Sequence, residues 1–170
     1  MKLLLPVDGS ELSLNAVRVA LQLLQRGLAA DIVLANVQEP PNLYEMMTAH
    51  DPVVLERVSQ AAGADVLAPA AALVMAAGGR CESEVVSGDP AHAIVDIAER
   101  YACDLIIMGA RGNSALRSAL LGSVSNEVLH AARVPVMIVK AEQAGDEELE
   151  DGEMDRDDAG AGADDPAGTS

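Results

Sequence analysis

The residues with the most obvious capacity for chemistry are Gly109, Gly112, Gly122 and Ser123, spaced Gly-x2-Gly-x9-Gly-Ser. Glycines at 109 and 112 let the backbone turn sharply and approach a ligand with no Cβ in the way. Gly122-Ser123-Val124-Ser125 then opens a segment with helical spacing. Its first N–H groups have no partner within the helix and sit at the positive end of the helix dipole. That combination suits an anion, phosphate above all. A single Gly-Ser pair reads as an ordinary cap, but three glycines at this spacing between an apolar run and a helix read as a phosphate cradle.

Such a cradle needs elements to hold it, and the chain supplies them by alternating two periodicities. Leu3-Leu4-Leu5-Pro6-Val7 is a continuously apolar strand ending in the turn residues Asp8-Gly9-Ser10. Residues 11–27 predict a helix with Leu12, Ala16, Val19, Ala20 and Leu23 on one stripe and Gly27 as its stop. Residues 32–37 form the second strand, and Glu39-Pro40-Pro41 starts a loop reaching about Pro52. Residues 53–78 read as a helix that Gly63 and Pro69 kink or split. A third strand covers Arg80 to Val86, and Asp89-Pro90 begins a helix running to Tyr101, with Asp89 as N-cap. Residues 105–108 and 136–139 are strands four and five, separated by a helix over 123–133. The expected fold is therefore α/β: a doubly wound, mainly parallel five-stranded sheet in the order 3-2-1-4-5, with helices on both faces. In that order the strand sequence reverses between strands one and four, where such sheets bind ligands. Asp8-Gly9-Ser10 and Gly109-Ala110-Arg111-Gly112 both fall there.

Composition removes several alternatives. The formal charge of the 170 residues is −16, and 12 acidic residues against Arg156 place −11 of it in residues 142–170. Residues 1–141 carry the remaining −5, so the chain divides into a mildly acidic domain and an acidic, low-complexity tail that the sequence predicts to be disordered. Nucleic-acid binding is not expected, since the charge has the wrong sign and Tyr44 and Tyr101 are the sole aromatic residues. The same charge argues against anionic membranes, and the uncharged run from Val66 to Gly79 is too short to span a bilayer. Leu3-Leu4-Leu5 meets Pro6 and Asp8 too early for a signal-peptide core. Cys81 and Cys103 read as buried, reduced thiols of a cytoplasmic protein. His50, His92 and His130 show no metal-ligand spacing. Lys2 and Lys140 are the sole lysines and neither lies in a glycine-rich loop, which excludes a P-loop; a Gly-x-Gly-x-x-Gly after strand one is also absent. No nucleophile with an adjacent base is evident, so binding is favoured over turnover.

Val7-Asp8-Gly9-Ser10, Gly88-Asp89-Pro90, Gly109-Ala110-Arg111-Gly112…Gly122-Ser123-Val124-Ser125 and the closing Val134-Pro135-Val136-Met137-Ile138-Val139 together resemble the universal stress protein family over residues 1–141. The complete glycine motif resembles its ATP-binding branch. The resemblance implies that Asp8 accepts from ribose hydroxyls and that Val37 meets adenine through its backbone. Gly109 and Gly112 would approach ribose and phosphates, and Gly122, Ser123 and Val124 would hold the phosphate chain. ATP would arrive with Mg2+, held mostly by nucleotide and water. Arg111 and Arg117 lie over the phosphates and read as solvated more readily than as ligands. The resemblance also implies a homodimer through the last strand, Val136–Val139, whose apolar edge a second copy would cover. The expected function is an ATP-binding regulator of a stress response, signalling to a protein partner. The alternatives are a slow ATPase or nucleotidyl-transfer enzyme, or a sensor of AMP or cyclic AMP. An unknown basic partner for the tail remains open beside a purely solubilising role.

Overall fold

The computed structural model describes residues 1–40, 52–112 and 121–140. Five strands, β1 (Lys2–Pro6), β2 (Asp31–Gln38), β3 (Cys81–Ser87), β4 (Leu105–Gly109) and β5 (Val136–Val139), form one sheet in the order β3-β2-β1-β4-β5. All four pairings are parallel. The expected topology and the burial of the central strands are both present.

Because side chains alternate across a strand, β1 and β2 supply two cores. Leu3, Leu5, Ile32 and Leu34 pack on one face beneath helices α1 (Glu11–Gln25) and α2 (Pro52–Ala76). Leu4, Val33, Ala35 and Ile106 pack on the other beneath α3 (Pro90–Arg100) and α4 (Ser123–Ala131). The edge strand β3 departs from the continuous apolar pattern: Glu82 is exposed, and Glu84 is held by Tyr101 Oη and Arg100 Nη2, each donating at 2.7 Å.

Two sequence expectations change. The helix over 52–76 is neither split at Gly63 nor at Pro69. Gly63 faces the sheet, where an added Cβ would come within 2.3 Å of Val85 Cγ1; it permits close packing and does not break the helix. Pro69 lies on the exposed side, where the carbonyl it leaves without a donor can be hydrated. By length and composition, Val53–Ala76 is also apolar enough to cross a membrane, which the shorter run 66–79 concealed; Leu67, Ala70 and Val74 instead seat it on β2 and β3. The second change concerns the thiols. Cys103 is buried, but Cys81, at the start of an edge strand, is half-buried; burial pushes both thiols up.

Candidate functional site

The strands part where the order reverses. β1 pairs with β4 through Leu3↔Leu105 and Leu4↔Ile106, whereas β2 follows β1 to Pro6↔Ala35 and β5 follows β4 to Gly109↔Val139. Beyond Leu4 and Ile106 a cleft opens, enclosing about 180 Å³. Asp8, Val37, Gly109, Gly112 and Val124, which the sequence had singled out, line it together with Arg111. Gly122 and Ser123 are not among its lining residues; they form the adjoining start of α4. Arg117 and His50 lie outside the described residues, while His92 and His130 are exposed, His92 Nδ1 standing 2.8 Å from Asp89 Oδ1.

Asp8 is held by its own turn. Its Oδ1 accepts from Ser10 N–H at 3.0 Å and from Ser10 Oγ at 2.6 Å, and Gly9 between them adopts φ +82°, a conformation glycine takes without strain. Ser10 Oγ in turn accepts from Ser13 N–H at 3.1 Å and caps α1. The other carboxylate oxygen, Oδ2, faces Gly112, where a Cβ would stand 2.3 Å away.

These glycines are not required for a left-handed backbone. None of Gly109, Gly112 and Gly122 has positive φ. Each is small because something approaches it: Leu12 backbone at Gly109, the Asp8 carboxylate at Gly112, and Arg111 Cα at Gly122. This packing against distant residues is invisible to spacing.

Helix α4 is aimed at the cleft by two tethers. Gly122 N–H donates to the Ala110 carbonyl at 2.9 Å, and Ser125 Oγ, buried, donates to the Gly109 carbonyl at 3.0 Å. The Gly122 N–H is thus occupied, so Gly122 offers space and not a donor. Ser10 caps α1 and Asp89 caps α3 with side chains, as expected for Asp89, but no side-chain bond caps α4. The first-turn N–H groups of Ser123 and Val124 lie in that uncapped turn.

Sequence reasoning missed Ser13 and Asn36 and placed Ser125 only in the helix start; all three are buried polar residues that line the cleft. Ser13 Oγ donates to the Ser10 carbonyl at 2.8 Å and Asn36 Nδ2 to the Val7 carbonyl at 2.7 Å. A lone amide inside the apolar run Ile32–Val37 was the one available signal. Among the described residues, no group of three or more His, Cys, Asp or Glu could hold a metal ion.

A doubly wound parallel α/β protein with a glycine-framed cleft at its switch point is the class these features define. Residues 1–140 match the universal stress protein family, and the chain belongs to that family. It is similar to the universal stress protein MJ0531 of Methanocaldococcus jannaschii, 29% identical over 139 residues that cover 82% of this chain and 81% of that one. The solved structure of MJ0577 is similar with a TM-score of 0.71 and 26% identity, covering 84% of this chain and 97% of that chain. A universal stress protein solved in complex with cAMP has a TM-score of 0.58 and 28% identity, covering 82% of this chain and 95% of that chain.

Proposed function

We propose that this protein is a nucleotide-responsive regulator that binds ATP in the cleft between β1 and β4. The observation that carries the reading is the cradle itself: Asp8, at the cleft wall, sets its Oδ2 against a glycine whose Cβ would displace it, beside a helix start that no side chain caps. In this reading Asp8 Oδ2 accepts from the ribose hydroxyls while Ser10 retains Oδ1. The Val37 backbone meets the base. Gly109, Gly112 and Gly122 keep the floor free of side chains, and the N–H groups of Ser123 and Val124 donate to phosphate oxygens. The cleft of about 180 Å³ is smaller than the ~300–1,000 Å³ of a whole small-molecule pocket; in this reading the nucleoside lies in it and the phosphates run along the start of α4. ATP brings the charge that Mg2+ neutralises; the ion would be held by nucleotide oxygens and water.

The working unit is a cytoplasmic homodimer joined through β5, an outer strand of the sheet. The domain is residues 1–141; the acidic segment 142–170, on which the expectation of disorder rests, lies outside the described residues, and in this reading it keeps the protein soluble or meets a basic partner. A second reading, a sensor of AMP or cyclic AMP, has support from the similar protein solved with cAMP.

Calorimetric titration of ATP, AMP and cyclic AMP, with and without Mg2+, tests both readings on wild type and Gly122→Val, with phosphate release followed in parallel. ATP is expected to bind more tightly than AMP or cyclic AMP, and the valine to abolish binding by filling the gap before Arg111. No nucleotide stronger than ~1 mM, about −4 kcal/mol, would overturn the assignment. Tighter cyclic AMP binding would transfer it to the second reading, and repeated turnover of ATP would make the protein an enzyme.

A further inference from the structure

Asn36 is nearly inaccessible, 3% exposed, within the apolar stretch of β2 from Ile32 to Val37. Its amide is oriented from both ends: Oδ1 accepts from Gln38 Nε2, and Nδ2 donates to the Val7 carbonyl at 2.7 Å. The Val7 carbonyl has a particular place in the sheet. Val7 N–H still donates to the Ala35 carbonyl at 2.8 Å, which is the ordinary parallel rung between β1 and β2. In a parallel ladder the carbonyl of the same residue accepts from the partner two positions further on, here Val37 N–H. That rung is not formed, and the β1–β2 register ends at Pro6↔Ala35.

The direction of the Val37 backbone follows from alternation along β2. The Ala35 carbonyl points to β1, where Val7 takes it, and the Gln38 carbonyl points to β3, where Gly88 N–H takes it at 3.0 Å. Val37 therefore shares the side of Ala35 and turns its N–H and C=O toward the space beyond β1, which is the cleft it lines. Adenine presents there a matching pair, an N1 acceptor and an N6 donor. Hypoxanthine and guanine present the reverse, a donor at N1 and an acceptor at O6.

We propose that Asn36 is a positioning residue for base recognition: by occupying the Val7 carbonyl, it keeps the Val37 N–H and C=O open as the donor–acceptor edge that selects adenine. The proposal rests on the nucleotide reading of the cleft, but its first test does not need a nucleotide. In the full-length free protein, amide hydrogen exchange should find Val37 N–H exchanging at least tenfold faster than the Val7 and Gly88 N–H groups, which both have partners. In Asn36→Ala the vacated Val7 carbonyl should capture Val37 N–H and slow its exchange. The same variant should lose about tenfold in its preference for ATP over ITP, the equivalent of one to two hydrogen bonds, with ITP affinity unchanged. A general loss of structure would weaken both nucleotides together. Asn36→Asp, of nearly the same size but unable to donate to Val7, should lose the preference in the same way. If Asn36→Ala does not fold, wild type still decides: a slowly exchanging Val37 N–H before nucleotide is added overturns the proposal, as does an unchanged ATP/ITP ratio in either variant. Failure of wild type to bind any nucleotide refutes the functional reading instead.

Discussion

The most direct probe of the cleft is Gly112→Ala. Gly112 has ordinary backbone geometry and is exposed, so alanine introduces no conformational strain. What it introduces is a methyl 2.3 Å from Asp8 Oδ2, where ordinary contact begins at 3.4 Å. The carboxylate must retreat by about 1 Å, which pulls Oδ1 away from Ser10 N–H and Oγ, now at 3.0 and 2.6 Å. Because the turn is exposed, water replaces most of what is lost, and stability should fall by no more than about 1 kcal/mol. Nucleotide binding should suffer more. A carboxylate displaced from the ribose hydroxyls forfeits a charge-assisted hydrogen bond of about 1.5–3 kcal/mol, roughly a 10- to 150-fold rise in Kd. Calorimetry with ATP on wild type, Gly112→Ala, Asp8→Ala and the double variant reads this as a cycle. If the methyl acts through Asp8, it costs little once Asp8 is gone, and the coupling is nearly the whole single-variant effect. An equal cost in both backgrounds, or a Kd within threefold of wild type in Gly112→Ala, refutes the reasoning.

Three further outcomes follow from the geometry. Gly63→Ala drives a methyl to 2.3 Å from Val85 Cγ1 under α2 and should cost ~1–3 kcal/mol in urea unfolding, relieved in part by Val85→Ala; no loss would show that α2 can lift from the sheet freely. Asp89 caps α3 through His92 N–H, and that bond holds its carboxyl below the usual carboxylate range, so its contribution is present above the unfolded value of ~3.9 and fades as pH falls through the lower folded value. Asp89→Asn should flatten the thermal stability profile below about pH 4 while keeping the cap, and an unaltered acid limb would contradict the assignment. Val136→Lys with Ile138→Lys places two charges on the half-buried β5 and should shift sedimentation toward the monomer; an unchanged dimer would remove β5 as the interface.

The sequence carried the framework because its signals are local. Continuous apolar runs identify buried strands, Asp89-Pro90 announces a helix start, and the order of strands and helices leaves few parallel topologies. The same locality explains why the sequence allows a split at Gly63 or Pro69 that does not occur. Both residues lower helix propensity, yet the packing of Leu67, Ala70 and Val74 on the sheet outweighs that cost, and Gly63 is small because Val85 approaches it from another strand.

At the cleft the division is sharper. Residue types and spacing in the sequence by themselves determined that glycines 109, 112 and 122 precede a helix start, that Asp8 ends an apolar strand, and that both fall at the reversal of strand order. Tertiary structure alone decided why each residue is what it is. Gly112 is bare because Asp8 lies against it, Gly122 gives its N–H to Ala110, and Asn36 reaches Val7 across the β1–β2 register. Hydrophobic period and capping are set by neighbours three or four positions away. A carboxylate, a missing Cβ and a diverted carbonyl meet only after the sheet has brought distant segments into register, so their meaning depends on contacts that no spacing encodes.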